Sequence, residues 1–272
     1  MLKITVLVEN SVRRRHLVAE HGLSFWLELD DARILFDAGQ SDAYLHNARQ
    51  LGIDISQADR AVLSHGHYDH GDGFRFFPAD QAGWPRFYAH PDAFAERFGH
   101  DMRNVDLSWQ VSDQAGLDKR LMLNTGTMEI AREVCLVCRL PELAGSAGIS
   151  PGFLIRKNGV SQPDLFLDEQ ILVSRQDGGL VVVCGCCHPG LLHALNGVRQ
   201  LYPREKIQAV LGGFHLSQAS DDQLDDLSRA LQVFEIDRLI PMHCSGIPAW
   251  CRLKAFFGER CLQLQTGDSI TF

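Results

Sequence analysis

Ser64-His65-Gly66-His67-Tyr68-Asp69-His70-Gly71-Asp72-Gly73 follows directly on the apolar run Ala61-Val62-Leu63. Three histidines and one aspartate within six residues are ligands for zinc, iron or manganese. Residues two apart on an extended segment point the same way, so His65 and His67 can grip one ion. Once the chain turns, Asp69 and His70 can reach a second. A strand must therefore end here and release its chain into a tight turn, which the flanking glycines permit.

The 272 residues fit one large domain or two small ones. With 45% hydrophobic and 22% charged residues the chain can bury a sizeable core. The net charge is -8, from 26 Lys+Arg against 34 Asp+Glu. That balance argues against broad binding to nucleic acid or to an anionic membrane. The basic run Arg13-Arg14-Arg15 reads as a solvated loop or as a local clamp for an anionic group. No run approaches the ~20 apolar residues that span a bilayer. The start Met1-Leu2-Lys3-Ile4-Thr5-Val6-Leu7-Val8-Glu9 reads as a strand and not a signal peptide, so a cytoplasmic location is expected. Eight cysteines are then expected as reduced thiols.

Strand-like runs recur at 2–8, 24–29, 32–37, 60–64, 86–89, 134–139, 170–174, 180–184, 207–211, 238–240 and 269–272. Helical spacing appears in 42–51 with Ser41 as N-cap, after Pro189, after Ser220, and from Pro248 to Phe257. Early strands lie close together like hairpins; later ones alternate with helices. More than ten strands require two sheets or one very large one. The stretch from Phe98 to Asn124 reads as a long active-site loop or lid.

Three further histidines follow strand-like runs: His188, His215 and His243. Histidines leaving the ends of adjacent strands converge on one sheet edge. His16, His46, His100 and His193 lie in polar or helical surroundings and need no special role. Asp37 ends the run Ile34-Leu35-Phe36 and suits a carboxylate that orients a ligand histidine. Cys135 and Cys138 are three apart on a strand, face opposite sides, and are read as buried core thiols. Cys186 and Cys187 adjoin His188, where one can serve as a thiolate ligand or both as packing residues.

These residues resemble the metallo-β-lactamase superfamily: the strand ending in Asp37, the His65-x-His67-x-Asp69-His70 motif, His188 after a strand, and Pro241-Met242-His243-Cys244-Ser245-Gly246. Ala19-Glu20-His21-Gly22-Leu23-Ser24-Phe25, Gly185-Cys186-Cys187-His188-Pro189-Gly190 and Gly212-Gly213-Phe214-His215-Leu216 look like the subgroup related to the dihydropterin–ribofuranosylaminobenzene phosphate synthase. The resemblance implies an α/β fold, a four-layer αββα sandwich of two mixed β-sheets flanked by helices, as a single domain over 1–272. It implies two metal sites, expected to hold zinc, with iron or manganese as alternatives. His65, His67 and His188 would serve the first, and Asp69, His70 and His243 the second. The chain departs from the superfamily pattern around the hairpin 170–184. Asp168-Glu169 stands where a histidine is usual, and Cys186-Cys187-His188 where a bridging Asp is usual. His188 is the preferred third ligand of the first site; Cys186, His215 and Asp168 are the reserves.

The expected activity is metal-assisted hydrolysis of a small ester, amide or phosphoester. Zinc lowers the pKa of bound water to about 7. Asp69 would ligate metal and orient the hydroxide, and His215 would donate a proton to the leaving group. The alternative is a pterin-type transferase or synthase that uses the same metals to activate a phosphate or pyrophosphate leaving group. Both take a small-molecule substrate, which in the second case carries phosphate. Di-iron redox chemistry fits less well, because such members place Glu where this chain has His67.

Overall fold

A computed structural model describes residues 1–99, 101–138 and 152–272. In chain order the strands and helices are β1 (Lys3–Val8), β2 (Ser24–Glu28), β3 (Arg33–Phe36), α1 (Ala43–Gln50), β4 (Arg60–Val62), α2 (Tyr68–Gly71), α3 (Ala79–Ala82), β5 (Arg86–Ala89), β6 (Glu96–Phe98), β7 (Leu121–Leu123), β8 (Thr127–Ala131) and β9 (Val134–Cys138). There follow β10 (Leu154–Lys157), β11 (Val160–Pro163), β12 (Gln170–Gln176), β13 (Gly179–Cys184), α4 (Leu191–Leu201), β14 (Ile207–Gly213), α5 (Asp221–Leu231), β15 (Arg238–Met242), α6 (Ile247–Phe257) and β16 (Ser269–Thr271).

Two mixed sheets form. One has the order β16-β1-β2-β3-β4-β5-β7, antiparallel up to β3 and parallel from β3 onward. The other has the order β15-β14-β13-β12-β9-β8, parallel over its first three strands and antiparallel over the rest. A small antiparallel sheet, β11-β10-β6, stands beside them.

Alternation along the strands builds the layers. Ile34 and Phe36 point into a core shared with Val181, Val183, Leu211 and Ile240 of the second sheet. Leu35 between them points the other way, into a core with Tyr44 and Ala48 of α1. Val182 likewise points outward, onto Leu195, Leu231 and Leu253 of α4, α5 and α6. Period-2 strands buried on both faces explain the near-continuous apolar runs. Each fully buried aliphatic side chain contributes about 1.5–3 kcal/mol. The result is the expected four-layer αββα sandwich.

All eleven expected strands form, with ends shifted by at most two residues; Arg139 lies outside the described residues. The five strands β6, β7, β8, β10 and β11 were not expected. They are short and largely solvent-facing, so no apolar run marks them. The N-cap of α1 is Asp42, not Ser41, although the Ser41 hydroxyl accepts the Ala43 N–H at 3.1 Å. Ser220 caps α5 as a reciprocal box with Gln223. Cys138 is buried but Cys135 only half so.

The stretch 98–124 is no open lid over its described part; His100 lies outside the described residues. It clasps α2 from outside: Val105 O accepts the Tyr68 N–H at 3.0 Å, and the Trp109 indole donates to Gly71 O at 3.0 Å. Leu107, Trp109 and Leu117 are its buried anchors, too sparse to show as a period. Among the described residues no helix is long and apolar enough to cross a membrane.

Candidate metal centre

Strands β3, β4, β13, β14 and β15 all deliver side chains to one edge of the sandwich. Asp37 follows β3, and His65 and His67 follow β4 in extended chain. The single turn α2 then carries Asp69 and His70. Cys186 and His188 follow β13, His215 follows β14 and His243 follows β15. Asp37, Cys187, His215 and His243 have left-handed backbone, with φ of 56°, 56°, 49° and 49°. Non-glycine residues there are uncommon and cluster where surrounding structure enforces them. Strands β3, β13, β14 and β15 are thus each followed by a forced turn at the site.

One group comprises His65, His67 and His188, all buried, with one ring nitrogen of each within 4.8 Å of the others. The Ser64 hydroxyl donates to Asp37 Oδ2 at 2.7 Å, so it accepts from His65 Nδ1–H at 2.9 Å. The lone pair of His65 is thereby on Nε2. Both His65 Nε2 and His67 Nε2 are buried with no hydrogen-bond partner among the described residues. Phe166 stacks on the His188 ring at 4.1 Å between centroids. Burial, then His70 and His67, hold the His65 pKa well below its ordinary value. Burial and His188 do the same for His67, and burial and His215 for His188.

A second group surrounds Asp69. His70 Nδ1 donates to Asp37 Oδ2 at 2.7 Å, and His243 Nδ1 donates to Asn10 Oδ1 at 2.8 Å. Their Nε2 atoms stand 3.3 Å apart, and Asp69 Oδ2 lies 3.2 Å from that of His243. Acceptor atoms this close repel unless a metal ion or a proton lies between them. Burial raises the Asp69 carboxyl pKa, but contacts with His21 and His243 bring it well below the ordinary carboxylate range.

The sulfur of Cys186 links the two groups. It lies 3.0 Å from His70 Nε2 and belongs to three sets of mutually close donor atoms: with His65 and His70, with His188 and His215, and with His243 and Cys244. This is the place between the two sites where a bridging carboxylate was expected. Gly185 allows it: a Cβ there would lie 2.1 Å from the Ser64 hydroxyl. The donor set of imidazoles, one carboxylate and a thiol suits zinc or iron better than magnesium or calcium.

His215 joins this edge, with its ring 4.3 Å from that of His188 and its Nδ1 buried without a partner among the described residues. Asp168 does not take the reserve position considered for it. Its oxygens are committed to Arg97 at 2.9 Å and to the Gly66 N–H at 2.7 Å. Through the Gly66 N–H it braces the ligand loop. Arg13 and Arg14 are engaged with Gln263 and Asp268.

Four contributors escaped the sequence. Glu169 accepts the backbone N–H groups of Cys187 and His188, fixing the turn after β13. His21, half-exposed, meets Asp69 Oδ2 at 3.1 Å. Asn10 meets both His21 and His243. Buried Arg97 pairs with Asp164 and Asp168. His21 and Glu169 lie in segments that the sequence motifs already marked; Asn10 and Arg97 come from distant segments and carry no local signal.

The sequence profile of the metallo-β-lactamase superfamily matches residues 18–103. The uncharacterized protein MJ0448 of Methanocaldococcus jannaschii is 29% identical over 258 residues, covering 92% of this chain and 93% of that protein. The 7,8-dihydropterin-6-methyl-4-(β-D-ribofuranosyl)-aminobenzene-5'-phosphate synthase of the same organism is 26% identical over 269 residues, covering 93% and 90%. The crystal structure of Tm1679, described as a metal-dependent hydrolase of the β-lactamase superfamily, aligns with a TM-score of 0.86 at 29% identity. It covers 100% of this chain and 99% of that one.

Proposed function

We propose, from the match to the metallo-β-lactamase superfamily over residues 18–103 and the likeness of the whole fold to a metal-dependent hydrolase of that superfamily, that the chain is a metal-dependent hydrolase of a small ester, amide or phosphoester. The observation that carries this is the set of facing acceptors His70 Nε2, His243 Nε2 and Asp69 Oδ2, beside the partnerless Nε2 atoms of His65 and His67. His65, His67 and His188 would hold one ion, and Asp69, His70 and His243 the other, with Cys186 between them. Zinc is the expected ion, with iron or manganese as alternatives. Divalent ions held there supply Lewis acidity, which makes water nucleophilic near neutral pH and offsets charge on a departing oxygen.

The protein's own residues do the rest. The Asp69 carboxylate stays ionised between His21 and His243 and orients the attacking water. His215, whose buried Nδ1 has no partner among the described residues, would hand a proton to the leaving atom. Asp37 keeps His70, and through Ser64 also His65, in the tautomer that turns Nε2 inward.

A second reading, a pterin-type synthase, is favoured by the 26% identical relative, which is a synthase. The same residues would then accept a phosphate or pyrophosphate leaving group. Zinc-loaded protein incubated with p-nitrophenyl acetate, p-nitrophenyl phosphate and bis-p-nitrophenyl phosphate tests the first reading. Turnover lost in His67→Ala supports it. No turnover of any of these, together with a joined product from a dihydropterin pyrophosphate and an aminobenzene ribotide, transfers the assignment to the second.

A further inference from the structure

We infer that Asn10 is a positioning residue that sorts the two histidines flanking Asp69, holding His243 as a metal ligand and His21 as a hydrogen-bond donor. The metal role of His243 rests on the function proposed above; the proton placement does not.

His21, Asp69 and His243 offer donor atoms within 4.8 Å of one another, so composition alone makes His21 a further ligand. The amide of Asn10 decides otherwise. Its orientation is set by two backbone groups that each play one role only. The Gly22 N–H donates to Oδ1 at 3.2 Å, and the His243 carbonyl accepts from Nδ2 at 3.5 Å. With the amide so fixed, Oδ1 at 2.8 Å requires a proton on His243 Nδ1. The inward Nε2 of His243 is left to the metal. On the other side, Nδ2 at 3.4 Å requires a bare Nδ1 on His21. The His21 proton is then on Nε2, facing Asp69 Oδ2 at 3.1 Å. A carboxylate only accepts, so the contact at the far end of the ring demands the same tautomer.

The segment after β1 also fixes the backbone of His243. Glu9 Oε1 accepts the His243 N–H at 2.9 Å, while Oε2 takes the N–H and hydroxyl of Ser11. Glu9 holds the left-handed turn and Asn10 the ring. Two adjacent residues, far in sequence from the metal motif, thus determine which histidine ligates.

The test reads proton positions directly. Two-bond nitrogen–proton correlation spectra of the full chain, labelled at histidine nitrogens, separate the tautomers; His21→Gln and His243→Gln assign the signals. Expected in the zinc-loaded chain are His21 with Nε2–H and bare Nδ1, and His243 with Nδ1–H. Asn10→Asp, which presents only acceptors, leaves His21 between two carboxylates, so a proton appears on Nδ1 while Nε2–H is kept. Asn10→Ser, too short to reach both rings, leaves His21 in mixed tautomers and weakens zinc binding on the order of 10- to 100-fold. A wild-type His21 protonated on Nδ1, or one His21 spectrum shared by wild type and both variants, overturns the inference. A chelator-stripped chain that keeps the wild-type signature but takes up no zinc overturns the metal reading and leaves this one standing.

Discussion

Asp168 couples Arg97 to the ligand loop, one oxygen 2.9 Å from the guanidinium and the other accepting the Gly66 N–H at 2.7 Å. All three residues are buried. The loop is jammed against this brace: a Cβ on Gly66 would lie 2.0 Å from Ala93 O and 2.5 Å from Arg97 Nη1. Removing one partner of a buried ion pair costs about 3–5 kcal/mol, because the other charge is left uncompensated. Asp164, at 2.8 Å, covers only part of the Arg97 charge. Asp168→Ala is therefore expected to lower the urea midpoint steeply and to loosen metal binding. Asp168→Asn keeps an acceptor for Gly66 and is expected to retain more of both. Equal stability of wild type and Asp168→Ala would show that the brace is idle.

Asp37 accepts three hydrogen bonds, from the Ser64 N–H and hydroxyl and from His70 Nδ1, each at 2.7 Å. It thus sets the ring of His70 directly and that of His65 through Ser64. Groups that orient metal ligands typically matter about 10- to 100-fold in affinity. Asp37→Ala is expected to lose zinc to a competing chelator at least ~10-fold more readily than wild type. Asp37→Asn must turn its amide NH2 toward one of these donors, so it is expected to fall short of wild type as well. Unchanged zinc retention in both variants would remove Asp37 from the centre.

How much of this could be read from sequence follows from how local each feature is. His65, His67, Asp69 and His70 fall in one strand-and-turn, so spacing alone brought them together. Asp37, His188, His215 and His243 each end an apolar strand, and convergence at a sheet edge made them a set. Cys186 was visible as a replacement for an absent carboxylate, but its central place needed three dimensions. Asp168 was misplaced because adjacency to β12 says nothing about which side of the ligand loop it reaches. Asn10, Glu169 and Arg97 act through contacts more than 15 residues distant or at unmarked loop positions, where no period exists. The strands β10 and β11 were missed for a related reason: an edge hairpin with exposed residues has no alternation to detect.

Cys186 yields a spectroscopic prediction. If its sulfur ligates, the cobalt(II)-substituted protein has a near-ultraviolet thiolate-to-metal charge-transfer band. Cys186→Ser is expected to abolish it, whereas Cys244→Ser retains it. Cys186→Asp restores a hard bridging ligand and is expected to hold two metal equivalents without the band, with selectivity moved toward manganese. A band that survives Cys186→Ser and disappears in Cys244→Ser would assign the thiolate to Cys244 instead.

His70 gives opposite pH dependences to the metal-free and metal-loaded chains. Burial lowers its pKa, but the charge of Asp37 and the hydrogen bond to it more than reverse this, so it lies above the ordinary 6.5. In the metal-free chain the fold favours the protonated ring. Its contribution to stability is complete below the unfolded value of 6.5 and is lost as pH rises through the folded one. Metal binding needs the Nε2 lone pair, so an entering zinc ion must displace that proton. Zinc affinity is accordingly expected to rise with pH through the same window. His65, His67 and His188, held well below their ordinary values, are already neutral there and add no slope. Urea unfolding of chelator-treated protein and zinc titration, each from about pH 5.5 to 8.5, read the two trends. Zinc affinity independent of pH over that range would mean that His70 binds no metal.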